Sequence, residues 1–289
     1  MSPLSLIDPT LVIDLTLALL PGTSPLALWL PAVITPADLL LQLGLFAASL
    51  VANLLSALAG GGAGLVQLPV LILLGLSFPL ALATHKLASV ALGVGASLRH
   101  ARERSLNPRL AAFVLVCGLP GVVLGARVVL ALPPKLCTLL LGLLTIALGL
   151  YSISQPQLGS VSAIRQLDRR GLAIGGAGLF AIGFLNGSLT SGTGLFVTLW
   201  LVRWFGLDYG RAVAYTLILV GLFWNGAGAL TLGIQGQIAW NWVPVLLAGS
   251  VAGGYLGAHL AIAKGSQLVK RSFEVLSLLM GISLLVKSF

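Results

Sequence analysis

The chain has 289 residues, of which 58% are hydrophobic and only 8% are charged, whereas about a quarter of the residues in a soluble domain are charged. This composition argues against a soluble helical protein, because too few polar side chains remain to cover a surface that faces water. The net charge of +9 does not indicate nucleic-acid binding, since the basic residues stand in short loops between apolar segments, as they do in membrane proteins.

The N-terminal segment, residues 1–37, is apolar over 10–31, but Asp14, Pro21 and Gly22 interrupt it. It has no basic start, so we do not interpret it as a cleaved signal peptide. The stretch either lies on the membrane surface or crosses the membrane once.

Apolar periodicity predicts ten helices in the rest of the chain, several of them with the roughly 20 residues that span a bilayer. Two of the ten follow glycine-rich breaks and are too short to cross a hydrocarbon core about 30 Å thick. The predicted helices lie at 38–59, 63–76, 79–98, 109–132, 135–153, 171–190, 193–205, 210–232, 240–263 and 267–288, the two short ones being the second and the seventh.

The chain divides into two matching halves, transmembrane repeat 1 at 38–153 and transmembrane repeat 2 at 171–289, joined by a polar linker at 154–170. The segment GAGL that begins at residue 62 aligns with GTGL at 192, and GVVLGAR at 121 aligns with GGYLGAH at 253. The offset changes only from 130 (192 − 62) to 132 (253 − 121). Such a regular offset indicates that one unit was duplicated.

Basic residues cluster at 99–109, 165–170 and 264–271, and the positive-inside rule places these three stretches in the cytoplasm. In the other half, the stretch that corresponds to 99–109 is 233–239, and the one that corresponds to 264–271 is 132–135. Both carry little or no charge. An odd number of crossings in each half explains this contrast and makes the halves inverted. We therefore predict an all-α integral membrane protein, a polytopic helical bundle of two inverted repeats. Each repeat has a broken or re-entrant helix pair that meets its counterpart near the bilayer midplane.

The two glycine-rich breaks, GGGAG at 60–64 and SGTG at 191–194, predict a binding site. Irregular backbone at membrane depth persists only where it lines a cavity or is buried in protein. The N-terminus of the short helix after each break carries partial positive charge and free N–H donors, which suit an anion. The alternative is that the glycines only allow close helix packing, which we expect for GVVLG at 121–125 and GGYLG at 253–257.

Lys86 is the only formally charged residue between Leu39 and Leu98, and a lysine inside the membrane is costly enough to indicate a function. We expect it to offset the charge of the anion, the alternative being a side chain that reaches the interface. His85 is a candidate carrier of a coupling proton. The second repeat has Thr216 and Leu217 at these two positions, so the site is asymmetric.

The candidate substrate-binding residues surround the two breaks and the segment that follows each short helix. We expect no catalytic residue, no metal site and no cofactor, because the histidines are scattered and the two cysteines, Cys117 and Cys137, lack C-x-x-C spacing. The candidates are Gly60, Gly61, Gly62, Ala63, Gly64, Thr84, His85, Lys86, Asn186, Ser188, Thr190, Ser191, Gly192, Thr193, Gly194, Tyr215 and Thr216.

Two stretches resemble the signatures of the sulfite exporter TauE/SafE family, also called the 4-toluene sulfonate uptake permease family. The first is AGGGAGLVQLPVLILLGLSFPLALATHKLAS at 59–89, and the second is GFLNGSLTSGTGLFVTLWLVRWFGLDYGRAVAYT at 183–216. The chain departs from the family pattern at His85, where asparagine is usual, and at Leu217, where a second lysine is common. The resemblance covers roughly residues 38–288.

The resemblance implies a multi-pass carrier for small sulfur-containing anions in the inner, or plasma, membrane. Neither the substrate nor the direction of transport follows from it. From the residues alone we expect an anion carrier that is embedded in the lipid bilayer and uses protons or another coupling ion. We expect no nucleic acid as a partner, and a homo-oligomer is compatible with the sequence. Three alternatives remain: a passive anion channel, a carrier for small carboxylates without sulfur, and a scaffold without transport. A membrane enzyme is disfavoured because no carboxylate lies deep in a span.

Overall fold

The structure, a computed structural model, describes residues 36–100, 106–128, 133–156, 162–163, 165–189, 192–234 and 238–288. The chain divides into two compact units, residues 1–41 and 42–289. Of the first unit the structure describes residues 36–41, the beginning of a helix. The apolar stretch at 10–31 lies outside the described residues, and so does its predicted relation to the membrane.

Every regular element in these described ranges is a helix, as the sequence predicts. There are ten when Tyr209–Gly233 is counted as one continuous helix, in which the segment Thr216–Trp224 has π-helical hydrogen bonding. They are α1 Pro36–Ala59, α2 Ala63–Leu73, α3 Phe78–His100, α4 Pro108–Val128, α5 Pro134–Ser154, α6 Arg169–Ser188, α7 Thr193–Arg203, α8 Tyr209–Gly233, α9 Val243–Lys264 and α10 Ser266–Ser288.

Six helices of the described chain are long and apolar enough to cross a membrane: α1, α3, α4, α6, α8 and α9. This confirms an all-α, multi-pass membrane protein. Helices α2 and α7 have 11 residues each and therefore extend only about 16 Å, half of a hydrocarbon core. The inverted arrangement of the two halves and the membrane side of each loop remain predictions.

Glycines let the long helices approach one another backbone to backbone. A Cβ atom on Gly125 of α4 would lie 2.1 Å from the carbonyl oxygen of Phe184 in α6, and one on Gly257 of α9 would lie 2.5 Å from the carbonyl oxygen of Leu54 in α1. No side chain fits at such distances, so these helix pairs require glycine at the contact. The structure thus confirms that the motifs GVVLG and GGYLG serve packing, and it does so at equivalent helices of the two halves.

The predicted helix breaks are present at both glycine-rich motifs. Helix α1 ends at Ala59, and the next three residues are glycines with φ angles of 82°, 135° and 101°. Helix α7 likewise begins after Gly192, whose φ is 76°. These values lie in the left-handed region that side chains disfavour. The first residues of the two short helices, Ala63 and Thr193, are buried, so each short helix starts inside the bundle.

Candidate functional site

The beginnings of the two short helices touch each other. A Cβ atom on Gly61, at the turn before α2, would lie 2.5 Å from the Cα of Gly194 in the first turn of α7, and one on Gly194 would lie 2.8 Å from the Cα of Gly61. This close approach requires glycine at both positions, because a Cβ atom on either residue would clash with the backbone of the other. The two halves of the chain thus bring their helix N-termini to one place, as the sequence predicts.

A small buried cavity of about 30 Å³ lies at this meeting point. One water needs about 10–15 Å³ by the same measure, so the cavity has room for about two. Its walls come from both halves of the chain and carry polar groups at several points. The lining residues are Ser56, Gly61, Gly62, Ala63, Gly64, His85, Ser89, Leu92, Asn186, Gly194, Thr216, Leu217, Val220, Gly221 and Asn225.

Hydrogen-bond donors face this cavity from α1 and α2. The N-cap residue of α2 is Gly62, which offers no side chain to the first N–H groups of the helix. The hydroxyl of Ser56, on the last turn of α1, is buried and has no hydrogen-bond partner. A buried unsatisfied hydroxyl costs free energy, and Ser56 lines the cavity. A polar ligand in the cavity would supply the missing partner.

Lys86 is fully buried in α3 and contacts the second half of the chain through Asn186. Its Nζ donates to the backbone carbonyl of Asn186 at 2.8 Å and approaches the side-chain Oδ1 at 3.4 Å. The amide of Asn186 then donates through Nδ2 to Thr193 Oγ1 at 3.0 Å and reaches Asn225 Oδ1 at 3.5 Å. Because an ammonium only donates, it fixes the amide with its oxygen towards Lys86 and its NH₂ group on the far side.

His85 belongs to a chain of hydrogen bonds that crosses three helices. Its Nδ1 lies 2.8 Å from Oε1 of Gln67 in α2, and its Nε2 lies 3.2 Å from Oγ of Ser89 one turn further along α3. Gln67 Nε2 donates to Ser49 Oγ of α1 at 2.9 Å. All four side chains are buried. The imidazole is therefore held at both nitrogens, with one edge on the cavity.

The second half builds the corresponding contact from hydroxyl groups. Thr198 of α7 and Thr216 of α8 stand at the positions equivalent to Gln67 and His85, each 131 residues further on (198 − 67 and 216 − 85). Their Oγ1 atoms are 2.9 Å apart, and Thr198 also approaches the carbonyl oxygen of Gly60 at 2.7 Å. The site therefore has a common plan in both halves, with an imidazole on one side only.

Several predicted site residues line the cavity together, and others lie apart from it. Thr84 accepts from the backbone N–H of Ala239 at 3.0 Å, and Ser188 donates to the carbonyl of Phe184 at 2.9 Å. The predicted residues in the lining are Gly61, Gly62, Ala63, Gly64, His85, Asn186, Gly194 and Thr216; those outside it are Gly60, Thr84, Lys86, Ser188, Gly192, Thr193 and Tyr215; Thr190 and Ser191 lie outside the described residues. Lys86 thus contacts the cavity-lining residue Asn186 without lining the cavity itself. Its effect on an anion stays a prediction.

Tyr215 lines a second, larger cavity of about 520 Å³. Its hydroxyl accepts from the backbone N–H of Asn107 at 2.5 Å and donates to the carbonyl of the same residue at 3.2 Å. The cavity combines apolar side chains with two guanidinium groups. Its lining residues are Asn107, Arg109, Leu110, Phe113, Leu167, Leu172, Leu207, Arg211 and Tyr215.

The residues of the small cavity and its network that were not predicted include four polar ones: Ser56, Gln67, Ser89 and Asn225. Each is a polar residue in an otherwise apolar membrane helix, and such residues are expensive enough to indicate a role. Gln67 is the only polar side chain in α2, which makes it the clearest of these signals.

A buried polar site at the break of two half-length helices, within a bundle that has six helices long and apolar enough to span a membrane, is an arrangement found in membrane transporters. The profile of the sulfite exporter TauE/SafE family matches residues 45–284, and the chain belongs to this family.

Named relatives agree with this class. The chain is 31% identical over 236 residues to a probable membrane transporter protein of Haemophilus influenzae, covering 82% of this chain and 91% of that protein. It is 28% identical over 244 residues to the probable membrane transporter protein YfcA of Escherichia coli K12, covering 84% and 89%. A probable membrane transporter protein of Sinorhizobium, ORF9, is 28% identical over 242 residues, covering 83% and 91%. No solved structure matches the chain.

Proposed function

We propose that the protein is a secondary transporter of small sulfur-containing anions, such as sulfite, an organosulfonate or a related oxyanion. The observation that carries this proposal is the meeting of two glycine-capped helix N-termini at one buried polar cavity. The partial positive charge and the N–H groups of a helix N-terminus bind oxyanions. The partnerless hydroxyl of Ser56 is an independent sign that the cavity takes a polar ligand.

The charge around the cavity favours an anion over a cation. Lys86 contacts carbonyl oxygens, and no carboxylate approaches it in the part of the chain that the structure describes. A buried ammonium without a counterion is costly. An anion in the cavity, separated from Lys86 by Asn186, would offset that charge.

Alternating access is supported by the size of the cavity and by the helix that connects it to the larger one. A cavity of about 30 Å³ has room for little more than water, so an oxyanion fits only when the walls move apart. Along α8, Tyr215 lines the larger cavity and the following Thr216 lines the small one. The π-helical segment of α8 begins at Thr216, and such segments often mark functional sites. We place the larger cavity, with Arg109 and Arg211, on the entry path from the cytoplasm.

The sulfur in the proposed substrate comes from the family. Its name specifies a sulfite exporter, whereas the relatives are named only as probable membrane transporters. The geometry by itself supports small oxyanions in general. A carrier for small carboxylates therefore remains the second candidate, together with a passive anion channel that uses the same site.

Two measurements test the proposal. A thermal-shift screen of the purified protein against sulfite, sulfate, sulfoacetate, taurine and simple carboxylates identifies the ligand class, because ligands of the folded state raise its melting temperature. Counterflow in proteoliposomes separates carrier from channel: internal sulfite should accelerate the uptake of labelled sulfite. Stabilisation by cations or neutral solutes alone would contradict the anion site, and uptake that ignores internal sulfite would contradict a carrier.

A further inference from the structure

The hydrogen-bond network around Ser49 determines which nitrogen of His85 carries its hydrogen. The hydroxyl of Ser49 lies 2.8 Å from the carbonyl oxygen of Leu246, which can only accept, and 3.0 Å from Oγ of Ser250, so its hydrogen is directed to one of these two and away from Gln67. Ser49 Oγ must then accept from Gln67 at 2.9 Å, and the amide NH₂ of Gln67 faces Ser49. This orientation leaves Gln67 Oε1 towards His85.

An amide oxygen accepts and never donates, so the hydrogen between Gln67 Oε1 and His85 Nδ1 belongs to the imidazole. No carboxylate contacts His85 in the described ranges. A buried positive charge without a counterion would be costly, which favours the neutral ring. A neutral ring with its hydrogen on Nδ1 carries a lone pair on Nε2.

This lone pair makes one wall of the cavity a hydrogen-bond acceptor. Nε2 lies 3.2 Å from the hydroxyl of Ser89, and both residues line the cavity. When Ser89 donates to Nε2, the lone pairs of its own oxygen remain for a ligand; when Ser89 turns away, Nε2 itself accepts. In both arrangements the His85–Ser89 pair takes a hydrogen from the ligand. Donors stand elsewhere on the wall, at the start of α2 and on Ser56.

We infer that the site selects anions that carry their own hydrogen-bond donor, with the anionic oxygens at the helix N-termini and an O–H group directed at the His85–Ser89 pair. The preferred ligand class is hydroxylated or singly protonated small oxyanions. Fully deprotonated or purely apolar analogues leave the acceptor edge without a hydrogen, and an unpaired buried polar group lowers affinity. This inference rests on the proposed anion site.

The test compares ligands of equal charge and nearly equal volume that differ in one group. Hydroxymethanesulfonate carries O–H where ethanesulfonate carries CH₃, and glycolate and propionate form the same pair among carboxylates. Binding of all four to the purified full-length protein is measured by calorimetry at constant pH. We expect the hydroxylated member of a pair that binds to bind about tenfold more tightly, the ratio that one net hydrogen bond gives.

Variants locate the source of the preference. The double variant His85→Phe/Ser89→Ala removes both acceptors of the pair and should abolish the ratio, whereas Ser89→Ala alone uncovers the Nε2 lone pair and should keep it. Gln67→Met removes the acceptor that holds the Nδ1 hydrogen and should reduce the ratio. Thr231→Val is the control on α8: its hydroxyl donates to the carbonyl of Ala227 at 2.7 Å and it is not among the residues that line the cavity, so it should leave the ratio in place.

The comparison of paired ligands uses the unaltered protein, so it does not depend on whether any variant folds. Equal affinities within a binding pair, or a preference for the apolar member, would overturn the inference and leave the anion site standing. A ratio that survives the double variant His85→Phe/Ser89→Ala would also overturn it. If none of the four anions binds, and sulfite does not bind either, the proposed function fails and the inference fails with it.

Discussion

Lys86 in the first half of the chain orients the side chain of Asn186 in the second half. Its Nζ donates to the backbone carbonyl of Asn186 at 2.8 Å and faces the amide oxygen at 3.4 Å, which directs the amide NH₂ group away from the ammonium. Asn186 lines the cavity, and Lys86 does not. Any effect of Lys86 on a ligand in the cavity is therefore expected to pass through Asn186 as an intermediate donor.

Replacing Lys86 with methionine keeps the length of the side chain and removes its charge. We expect Lys86→Met to weaken anion binding by about tenfold or more, because hydrogen bonds that involve a charged group contribute about 1.5–3 kcal/mol. Isothermal calorimetry with sulfite measures the change. Lys264→Met, at an exposed lysine at the end of α9, should leave the affinity unchanged.

Lys86→Arg should not restore the site. A Cβ atom on Gly228 would lie 2.8 Å from Cδ of Lys86, so the side chain lies directly against the backbone of α8. A planar guanidinium is wider than an ammonium and has a fixed donor geometry. Affinity is again the measurement, and an arginine variant that binds like the parent protein would show that charge alone matters at this position.

The hydroxyl of Ser56 allows stability and binding to be separated. It is buried without a partner, so Ser56→Ala should leave the melting temperature unchanged or raise it, while affinity for the anion falls by about tenfold. Ser277→Ala is the matched control: this hydroxyl is also buried and partnerless but is not among the residues that line the cavity. It should affect the melting temperature in the same direction and leave affinity alone. A fall in stability without a fall in affinity at Ser56 would argue for a purely structural serine.

The positions of the helices and of both breaks could be predicted from sequence, because apolar length and glycine clusters are local signals. Which polar side chains share the cavity could not. Successive helix residues are rotated by about 100°, so His85 faces the cavity while its neighbour Thr84 turns to Ala239. The partnership of His85 with Gln67 depends on how α2 and α3 are rotated against each other, which periodicity does not fix. The π-helical segment of α8 has no sequence signal of its own, since its residues are almost uniformly apolar.

The orientation of the two halves can be tested by labelling single cysteines from each side of the membrane. Arg109 and Trp240 are exposed residues at opposite predicted sides, so Arg109→Cys should react from the cytoplasm and Trp240→Cys from outside. Both are introduced into a background with Cys117→Ala and Cys137→Ala. Reaction of both cysteines from the same side would falsify the inverted repeat, whatever the substrate is.

The glycines before α2 provide the most direct test of the site itself. Gly62 lines the cavity and has a φ of 101°, so Gly62→Val would place a β-branched side chain where the anion approaches and would also strain the backbone. We expect anion binding to be lost, with a lower melting temperature. Calorimetry for affinity and thermal denaturation for stability are measured on the same preparations.

Substitutions at three other glycines separate the loss of binding from the loss of stability. Gly149→Ala in α5 places a Cβ atom 3.0 Å from Cβ of Ser277, away from the cavity, and should lower stability while preserving affinity. Gly44→Ala has no atom within 4 Å of the added Cβ and should change neither. Gly125→Ala is a harsher packing variant, because its Cβ atom would lie 2.1 Å from a backbone oxygen. If Gly62→Val melts earlier but binds sulfite like the parent protein, the glycines before α2 serve packing alone, and the anion must bind elsewhere.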